Sequence, residues 1–337
     1  MKAALLKHGA IFFSMLITVS TGMSLTSCAS RSHAGDREPS SEVIKTLPHT
    51  RLTAVDYAYQ RMMDAGISKS FAHRIKKIYL RQNDAAAGRD KIISLNIFGF
   101  LAHADYSLHY SKTAVKKTRA FVHKYRKTLR LAEKRYHVSK ETIAALLWVE
   151  TKFGKYTGTF NLPYVYFSLL QADHPAVAKL TLDELSDRQP AAVQLNPQYT
   201  RKFLEHKVIE RSVQKAAWAL DQLKAIQHLS RKEQRKLFST QASYAGAFGY
   251  PQFIPTTFAD YAVSCNENAP DLFNMRDAIL SVAHYLHEKG WKENSASAKS
   301  DALFEYNRSR DYGAVILKIA DEVHPHRAKL IRTSSRS

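Results

Sequence analysis

Cysteine is almost absent from the 337-residue chain. Only Cys28 and Cys265 occur, so neither a disulfide framework nor zinc-type cysteine spacing organises the fold. Glycine is sparse at 12 residues, no internal repeat is visible, and short alternating strands at regular spacing are missing. Acidic residues number 30 against 50 lysines and arginines, a net charge of +20. Such a charge suits a polyanionic neighbour: nucleic acid, an anionic membrane surface or an anionic cell-wall polymer. A merely solvated basic face accounts for it as well, and sign alone does not choose. The apolar run from Ala10 to Val19 is too short to span a bilayer comfortably.

What is present is a chain 45% apolar, with 17 Tyr and 16 Phe, which can bury a sizeable core and is not globally disordered. Lys2 and Lys7 precede the short apolar run, the arrangement of a secretory signal peptide over residues 1–27. It ends in Leu25-Thr26-Ser27-Cys28, which is similar to a bacterial lipoprotein cleavage box. That similarity implies lipid on Cys28 as the first mature residue; an ordinary signal peptide with an incidental Cys is the other reading. Export to the periplasmic face follows from either. Ala29 after the lipidated Cys, in place of the Asp associated with inner-membrane retention, points to the outer membrane. Removing residues 1–27 leaves a charge of about +18. Cys265 then has no intramolecular partner and is expected to be a buried, inert thiol.

Residues 28–50 are Ser-, Arg- and Glu-rich and read as a flexible tether. Helical periodicity follows over Val55–Asp64, Phe71–Asn83, a long basic amphipathic stretch Thr113–Tyr136, Lys202–His228, Asp277–Lys289 and Tyr312–Val323. Asp173–Tyr199, with Pro175, Pro190 and Pro197, is expected to be loop with short helical pieces. The expected architecture is therefore a mainly helical domain over 51–325, with little β structure and a basic tail at 326–337.

One helix carries an anomaly. Between Ser139, a candidate N-cap, and Gly154, a candidate stop, apolar residues at Ile143, Leu146 and Leu147 form a stripe whose next position is Glu150. A carboxylate thus sits where the core-facing pattern asks for an apolar side chain. Desolvation and the negative end of the helix both disfavour its charge, so its pKa is expected to rise. A protonated carboxyl can act as a general acid on a glycosidic oxygen. A core Glu paired with Lys or Arg is the alternative from helical position alone.

A second informative stretch runs from Ser243 through Gly246, Gly249, Gln252 and Pro255 to Phe258. The glycines permit tight turns or close approach, while Thr256 or Thr257 could cap the helix that follows. The Lys-Ser/Thr ending of a phosphate loop is missing. Aromatic faces beside amide and hydroxyl groups suit a sugar.

Four ordered blocks carry a resemblance. They are Glu150-Thr-Lys-Phe-Gly154, then Ala245-Gly-Ala-Phe-Gly-Tyr-Pro-Gln252-Phe-Ile-Pro255, then Asp277 to Leu286 with Gly290-Trp291, and finally Tyr306-Asn307-Arg308-Ser309 with Tyr312. Together they resemble the membrane-bound lytic murein transglycosylase B family, glycoside hydrolase family 103. The resemblance extends over about Tyr57 to Ala320. It implies a lysozyme-like helical catalytic domain with additional N-terminal helices. It also implies that Glu150 is both acid and base, cleaving the β-1,4 bond between N-acetylmuramic acid (MurNAc) and N-acetylglucosamine (GlcNAc) of peptidoglycan with formation of 1,6-anhydro-MurNAc ends. Positions matching the family's glycan contacts are Ser243, Gln252, Tyr285, Tyr306, Asn307 and Tyr312, with Tyr106 a looser match. For the tyrosines, core packing with a satisfied hydroxyl is the alternative.

The departures are specific. Ala242 replaces the usual Gly before Ser243, and Thr256-Thr257 replace paired Ser. Where many relatives carry an Asp-Gly-rich loop resembling a calcium site, this chain reads Ser264 to Pro270 without the Asp-x-Asp-Gly spacing, so no metal and no cofactor are expected. No second acid stands in a matched motif, and Asp260 and Asp277 read as helix-surface or capping residues. Glycosidases using water or a covalent intermediate usually need two carboxylates. A muramidase hydrolysing the same bond and a non-catalytic peptidoglycan-binding lipoprotein remain as rival readings. The expected partners are peptidoglycan glycan strands, the membrane through Cys28, and other cell-wall enzymes; the export signal and the absence of a nucleic-acid motif argue against nucleic acid.

Overall fold

The computed structural model describes residues 47–102, 104–266 and 268–324. The expected signal peptide, Cys28, most of the tether and the basic tail lie outside them. Fourteen α-helices and one two-stranded pairing occur among the described residues, and none of these helices is long and apolar enough to cross a membrane. The chain divides into two compact units, one containing 47–102 with 166–220, the other 104–165 with 221–324.

The first unit holds α1 (Ala54–Asp64), α2 (Lys69–Leu80), α3 (Ala85–Ile97) and α8 (Pro175–Leu195). Met62, Ile75, Ile92 and Ile97 fill its core, and Tyr79 packs against Phe167 with ring centroids 4.9 Å apart. Two of its buried charges are accounted for. Asp173 receives Arg61 at 2.6 Å and the Tyr57 hydroxyl at 3.2 Å. Arg211 donates to the carbonyls of Ile97 at 2.7 Å and Asn96 at 2.8 Å, satisfying acceptors that the last turn of α3 leaves without helical partners.

The second unit is built around α6 (Lys140–Thr151), with α4 (Lys112–Lys124), α5 (Arg126–Tyr136), α12 (Met275–Glu288) and α14 (Arg310–Val323) packed on it. α6 is buried on every side from Glu141 to Thr151, so the apparent stripe through Ile143, Leu146 and Leu147 is only part of a wholly enclosed helix. Ser139 holds the N-cap position, yet its hydroxyl pairs with Thr142 at 2.8 Å. β1 (Phe160–Asn161) pairs antiparallel with β2 (Gln241–Ala242). α11 (Pro255–Tyr261) and α13 (Ala296–Tyr306) complete the frame around the site, with α10 (Arg231–Phe238) leading into β2. α7 (Leu162–Leu169) and α9 (Arg201–His228) contain the points where the chain passes between units.

Five sequence expectations need correction. Thr113–Tyr136 is two helices that part at Tyr125, with no Pro or Gly to mark the break; its continuous charge pattern hides a turn set by packing. Asp173–Tyr199 is mostly the 21-residue helix α8. Pro175 sits at its start, where the missing N–H is not needed, and Pro197 follows its end, so two of the three prolines punctuate the helix instead of breaking it. Neither Thr256 nor Thr257 caps α11: Pro255 opens the helix, and Thr256 bonds through N and Oγ1 to Gln222 Oε1 at 3.1 Å. Cys265 is a half-buried free thiol, its pKa raised by burial and by Asp277.

Asp277 is the fifth. It is buried, and its two carboxylate oxygens accept the backbone N–H groups of Cys265 and Asp271, each at 2.9 Å. One side chain thereby ties down both ends of the stretch from Cys265 to Asp271. Asp277→Ala would leave two N–H groups without their acceptor, and unfolding in urea is expected to register a loss of about 2–4 kcal/mol. An unchanged midpoint would show that the loop finds other acceptors.

Candidate active site

The C-terminal end of α6 is shaped by backbone strain. Lys152, Phe153 and Gly154 take successive positive φ values of 52°, 61° and 94°. For Lys and Phe this is costly and persists only where surroundings enforce it. The enforcement is visible. Phe153 stacks on Phe121 with centroids 4.1 Å apart. The Thr151 hydroxyl donates to Tyr250 O at 2.9 Å and accepts from Gly154 N at 3.0 Å. A Cβ on Gly154 would lie 2.4 Å from the Tyr250 ring, so the glycine is required for the glycine-rich loop to reach the helix end. Residue 150 is thereby fixed one turn from a locked terminus.

Glu150 is 5% exposed. Tyr312, on the first turn of α14, donates its hydroxyl to Glu150 Oε1. Oε2 is buried and has no hydrogen-bond partner among the described residues. Burial pushes the carboxyl pKa to about 8, against smaller lowering effects of the Tyr312 hydrogen bond and the Lys152 charge. With Oε1 occupied as an acceptor, the carboxyl proton belongs on Oε2, where it is free to be donated. Tyr312 itself is pushed well above its ordinary value by burial and by Glu150, so it stays a donor.

The other expected site residues separate by what their polar atoms do. Tyr306 stacks parallel to Tyr312 at 6.3 Å and spends its hydroxyl on Pro251 O at 2.6 Å. Tyr106 meets Tyr312 edge-on at 5.6 Å, and its hydroxyl accepts from Asn307 Nδ2 at 3.2 Å. These five residues, Glu150 included, form one cluster. Tyr285 lies behind it, edge-on to Tyr306 at 4.9 Å, with its hydroxyl donated to Glu305 O at 2.7 Å. Gln252, at φ 54°, donates to Gly249 O at 2.8 Å and Thr157 O at 3.4 Å. Ser243 Oγ accepts from Ala247 N at 3.1 Å. In this structure Ser243 and Gln252 hold the loop, Tyr285 ties α12 to α13 with its ring 5.9 Å from that of Phe253, and Tyr106, Tyr306, Asn307 and Tyr312 gather at Glu150.

Sequence reasoning missed three neighbours. Lys152 Nζ lies 2.8 Å from His109 Nδ1 and 4.7 Å from the Trp148 ring centroid, and Trp148 Nε1 donates to His109 O at 3.0 Å. Burial lowers Lys152 to about 8 and His109 to about 4. Lys152 was in plain view inside the Glu-Thr-Lys-Phe-Gly block; His109, distant in sequence, had no local signal.

Residues 100–300 match the family model described as the transglycosylase SLT domain. The chain belongs to this family. A 172-residue stretch of this family member is 27% identical to membrane-bound lytic murein transglycosylase B of Escherichia coli strain K12, covering 51% of the chain and 37% of that relative. The chain thus spans little more than a third of that relative's length. Among solved structures, its fold resembles E. coli lytic transglycosylase Slt35 in complex with bulgecin A, with a TM-score of 0.58, 16% identity and coverage of 87% of the chain and all of Slt35. It also resembles soluble lytic transglycosylase SltB1 of Pseudomonas aeruginosa, with a TM-score of 0.56, 19% identity and coverage of 82% and 99%. SltB3 of the same organism, solved with NAG-NAM-pentapeptide, gives a TM-score of 0.52 at 17% identity over 80% of this chain and 78% of that one. The family member therefore has the mainly helical, lysozyme-like fold expected of its sequence.

The protonated state of Glu150 has a thermodynamic signature. Its folded-state pKa, about 8, lies above the ordinary 4.5, so between these values the native state holds a proton that the unfolded chain has released. This contribution is full below the ordinary pKa and is lost as pH rises toward about 8. Glu150→Gln removes the titration. Its stability relative to the parent is expected to increase across that window by roughly 3–5 kcal/mol and then level off, as read by urea unfolding at stepped pH. A pH-independent gap would mean that Glu150 is ionised in the native state. In Tyr312→Phe the lowering hydrogen bond is gone, so the Glu150 midpoint, followed by carboxyl infrared absorption, is expected to move above the parent's value of about 8.

Proposed function

We propose that the chain is a lytic transglycosylase cleaving the MurNAc-GlcNAc β-1,4 bond of peptidoglycan to leave 1,6-anhydro-MurNAc ends. The observation that carries this reading is the buried carboxyl of Glu150, its pKa pushed up to about 8, whose Oε2 has no hydrogen-bond partner among the described residues. Glu150 first donates its carboxyl proton to the glycosidic oxygen. Now a carboxylate, it accepts the proton of the C6 hydroxyl of the same muramic acid, and that oxygen closes on C1. The attack is intramolecular, so proximity replaces a second carboxylate that would activate water. Tyr312 is proposed to steady the carboxylate during this exchange, with Tyr106, Tyr306 and Asn307 shaping the approach for the sugar, and Ser243, Gln252 and Tyr285 contributing from the loop side.

The family membership and the E. coli relative support this reading. The catalytic domain is proposed to extend over 51–325, spanning both compact units, after a signal peptide 1–27 and a tether 28–50. Glycan strands are the proposed substrate. A lipid on Cys28 is proposed to hold the protein on the outer membrane, facing the periplasm, as the relative's membrane-bound description supports.

Mass spectrometry of digested sacculi is expected to show anhydro-muropeptides, and Glu150→Gln to release them at least about a thousandfold more slowly. Reducing muramic ends without anhydro products would identify a muramidase. Release by the Gln variant at the parent rate would remove Glu150 from the chemistry. The rate should also fall as pH rises through about 8, where the acid is lost.

A further inference from the structure

Nearly half of the chain's net positive charge lies on two consecutive helices. Lys112 to Arg135, covering α4 and α5, holds ten lysines and arginines and one acid, Glu133, a net +9 of the chain's +20. All ten cations are exposed, while the same helices bury Val115, Phe121, Leu129 and Tyr136. None of the ten forms an ion pair among the described residues. Other helices of the chain set an acid a turn from a cation, as in Arg188–Glu184, Arg201–Glu205 and Lys207–Glu210. Glu133 itself is engaged by Lys140 at 3.5 Å.

α5 orders these charges most strictly. Arg126, Arg130 and Lys134 form one row at i, i+4 spacing, and Lys127, Leu131 and Arg135 form the next. The i, i+3 neighbours Lys127–Arg130 and Leu131–Lys134 join the rows, so five cations and Leu131, itself 50% exposed, share one face. Helix stability argues against this arrangement. Like charges one turn apart repel. Arg126 and Lys127 also occupy the first turn, where the helix dipole favours acids, and neither α4 nor α5 has an acid there. Cations kept against local stability fit a polyanionic partner better than a solvated face, which interleaves both signs.

Leu131 and the shape of the face decide the occupant. The outer side of a helix is a convex ridge, which meets a plane. A phosphodiester strand answers the cations alone, whereas a lipid surface answers the leucine as well: phosphates receive the cations and the headgroup boundary receives the apolar side chain. We propose that the exposed face of α5, continued by α4, docks on a membrane surface carrying anionic phospholipid. The contact is independent of the proposed lipid on Cys28. α5 packs directly on α6, so docking fixes how the helix of Glu150 is presented at that surface.

Residues 28–337 carrying Cys28→Ser keep every described residue and bear no lipid. They are sedimented with vesicles of phosphatidylcholine alone, or with about one-quarter phosphatidylglycerol. Binding is expected to the anionic vesicles only, and to fall with added salt. Arg126→Gln/Arg130→Gln/Lys134→Gln is expected to bind about a hundredfold more weakly, and Leu131→Gln about threefold more weakly. The charge-conserving Arg126→Lys/Arg130→Lys/Lys134→Arg variant is expected to retain binding. Lys69→Gln/Lys77→Gln/Arg81→Gln removes as much exposed charge from α2 and the residue after it, and is expected to cost less than about threefold. The urea midpoint of the α5 Gln variant is expected to match or exceed the parent's, because repulsion is relieved; this separates lost docking from lost folding. No binding of the parent to anionic vesicles, equal losses from the α2 and α5 variants, unchanged binding by Leu131→Gln, or tighter binding per phosphate to a short DNA duplex would overturn the proposal.

Discussion

The arrangement turns on the burial of one carboxyl group. Glu150 lies in the last turn of a helix enclosed on every side, where both desolvation and the helix terminus oppose its charge. A native state could relieve that penalty with a lysine or arginine in contact, but no ion pair to Glu150 occurs among the described residues. The relief comes from a neutral donor, Tyr312, which engages one oxygen and leaves the other alone. A salt bridge would have made the group a permanent carboxylate. A phenol lets it remain an acid near neutral pH and still stabilises the anion once the proton has gone. Lys152, close enough to be felt and itself depressed by burial, moderates the same equilibrium.

Holding that carboxyl in place requires an unusual amount of rigid scaffolding. Three consecutive left-handed residues end α6, two of them with side chains that disfavour the conformation. The strain is sustained by the Phe121–Phe153 stack and by the bond from Thr151 to the loop carbonyl of Tyr250. The loop in turn is pinned by Gln252, Ser243 and, on its far flank, by the buried Asp277. Residues that resemble sugar contacts in the sequence thus serve, in the structure, first as internal fasteners. The two roles are compatible, because a rigid backbone is what a pre-organised site needs. The segment around Ser264–Pro270 fits the same picture: Asp277 accepts the backbone N–H groups of Cys265 within it and of Asp271 just after it.

The failures of sequence reasoning share a cause. The charge pattern of Thr113–Tyr136 is continuous, so it conceals the turn at Tyr125, where the packing of two helices decides the geometry. Three prolines in Asp173–Tyr199 look like breakers until their positions relative to the helix ends are known; Pro175 and Pro197 mark the two ends of α8. Asp277 carries a charge and so reads as surface, although two backbone donors make its burial favourable. For the turn at Tyr125 and for Asp277 a local expectation was overridden by packing or by contacts outside the local sequence; for the prolines the helix ends had to be known first.

By itself the sequence determined the helical class, the place of one anomalous carboxylate and the order of the motifs. These depend on short-range geometry: a carboxylate at an apolar helical position, glycines where φ must be positive, and turns spaced by a few residues. Only the tertiary structure decided what surrounds the acid. Tyr312 stands 162 residues away from Glu150, and Asn307 stands 201 from Tyr106. No local pattern encodes such pairs, because they exist only once the helices pack.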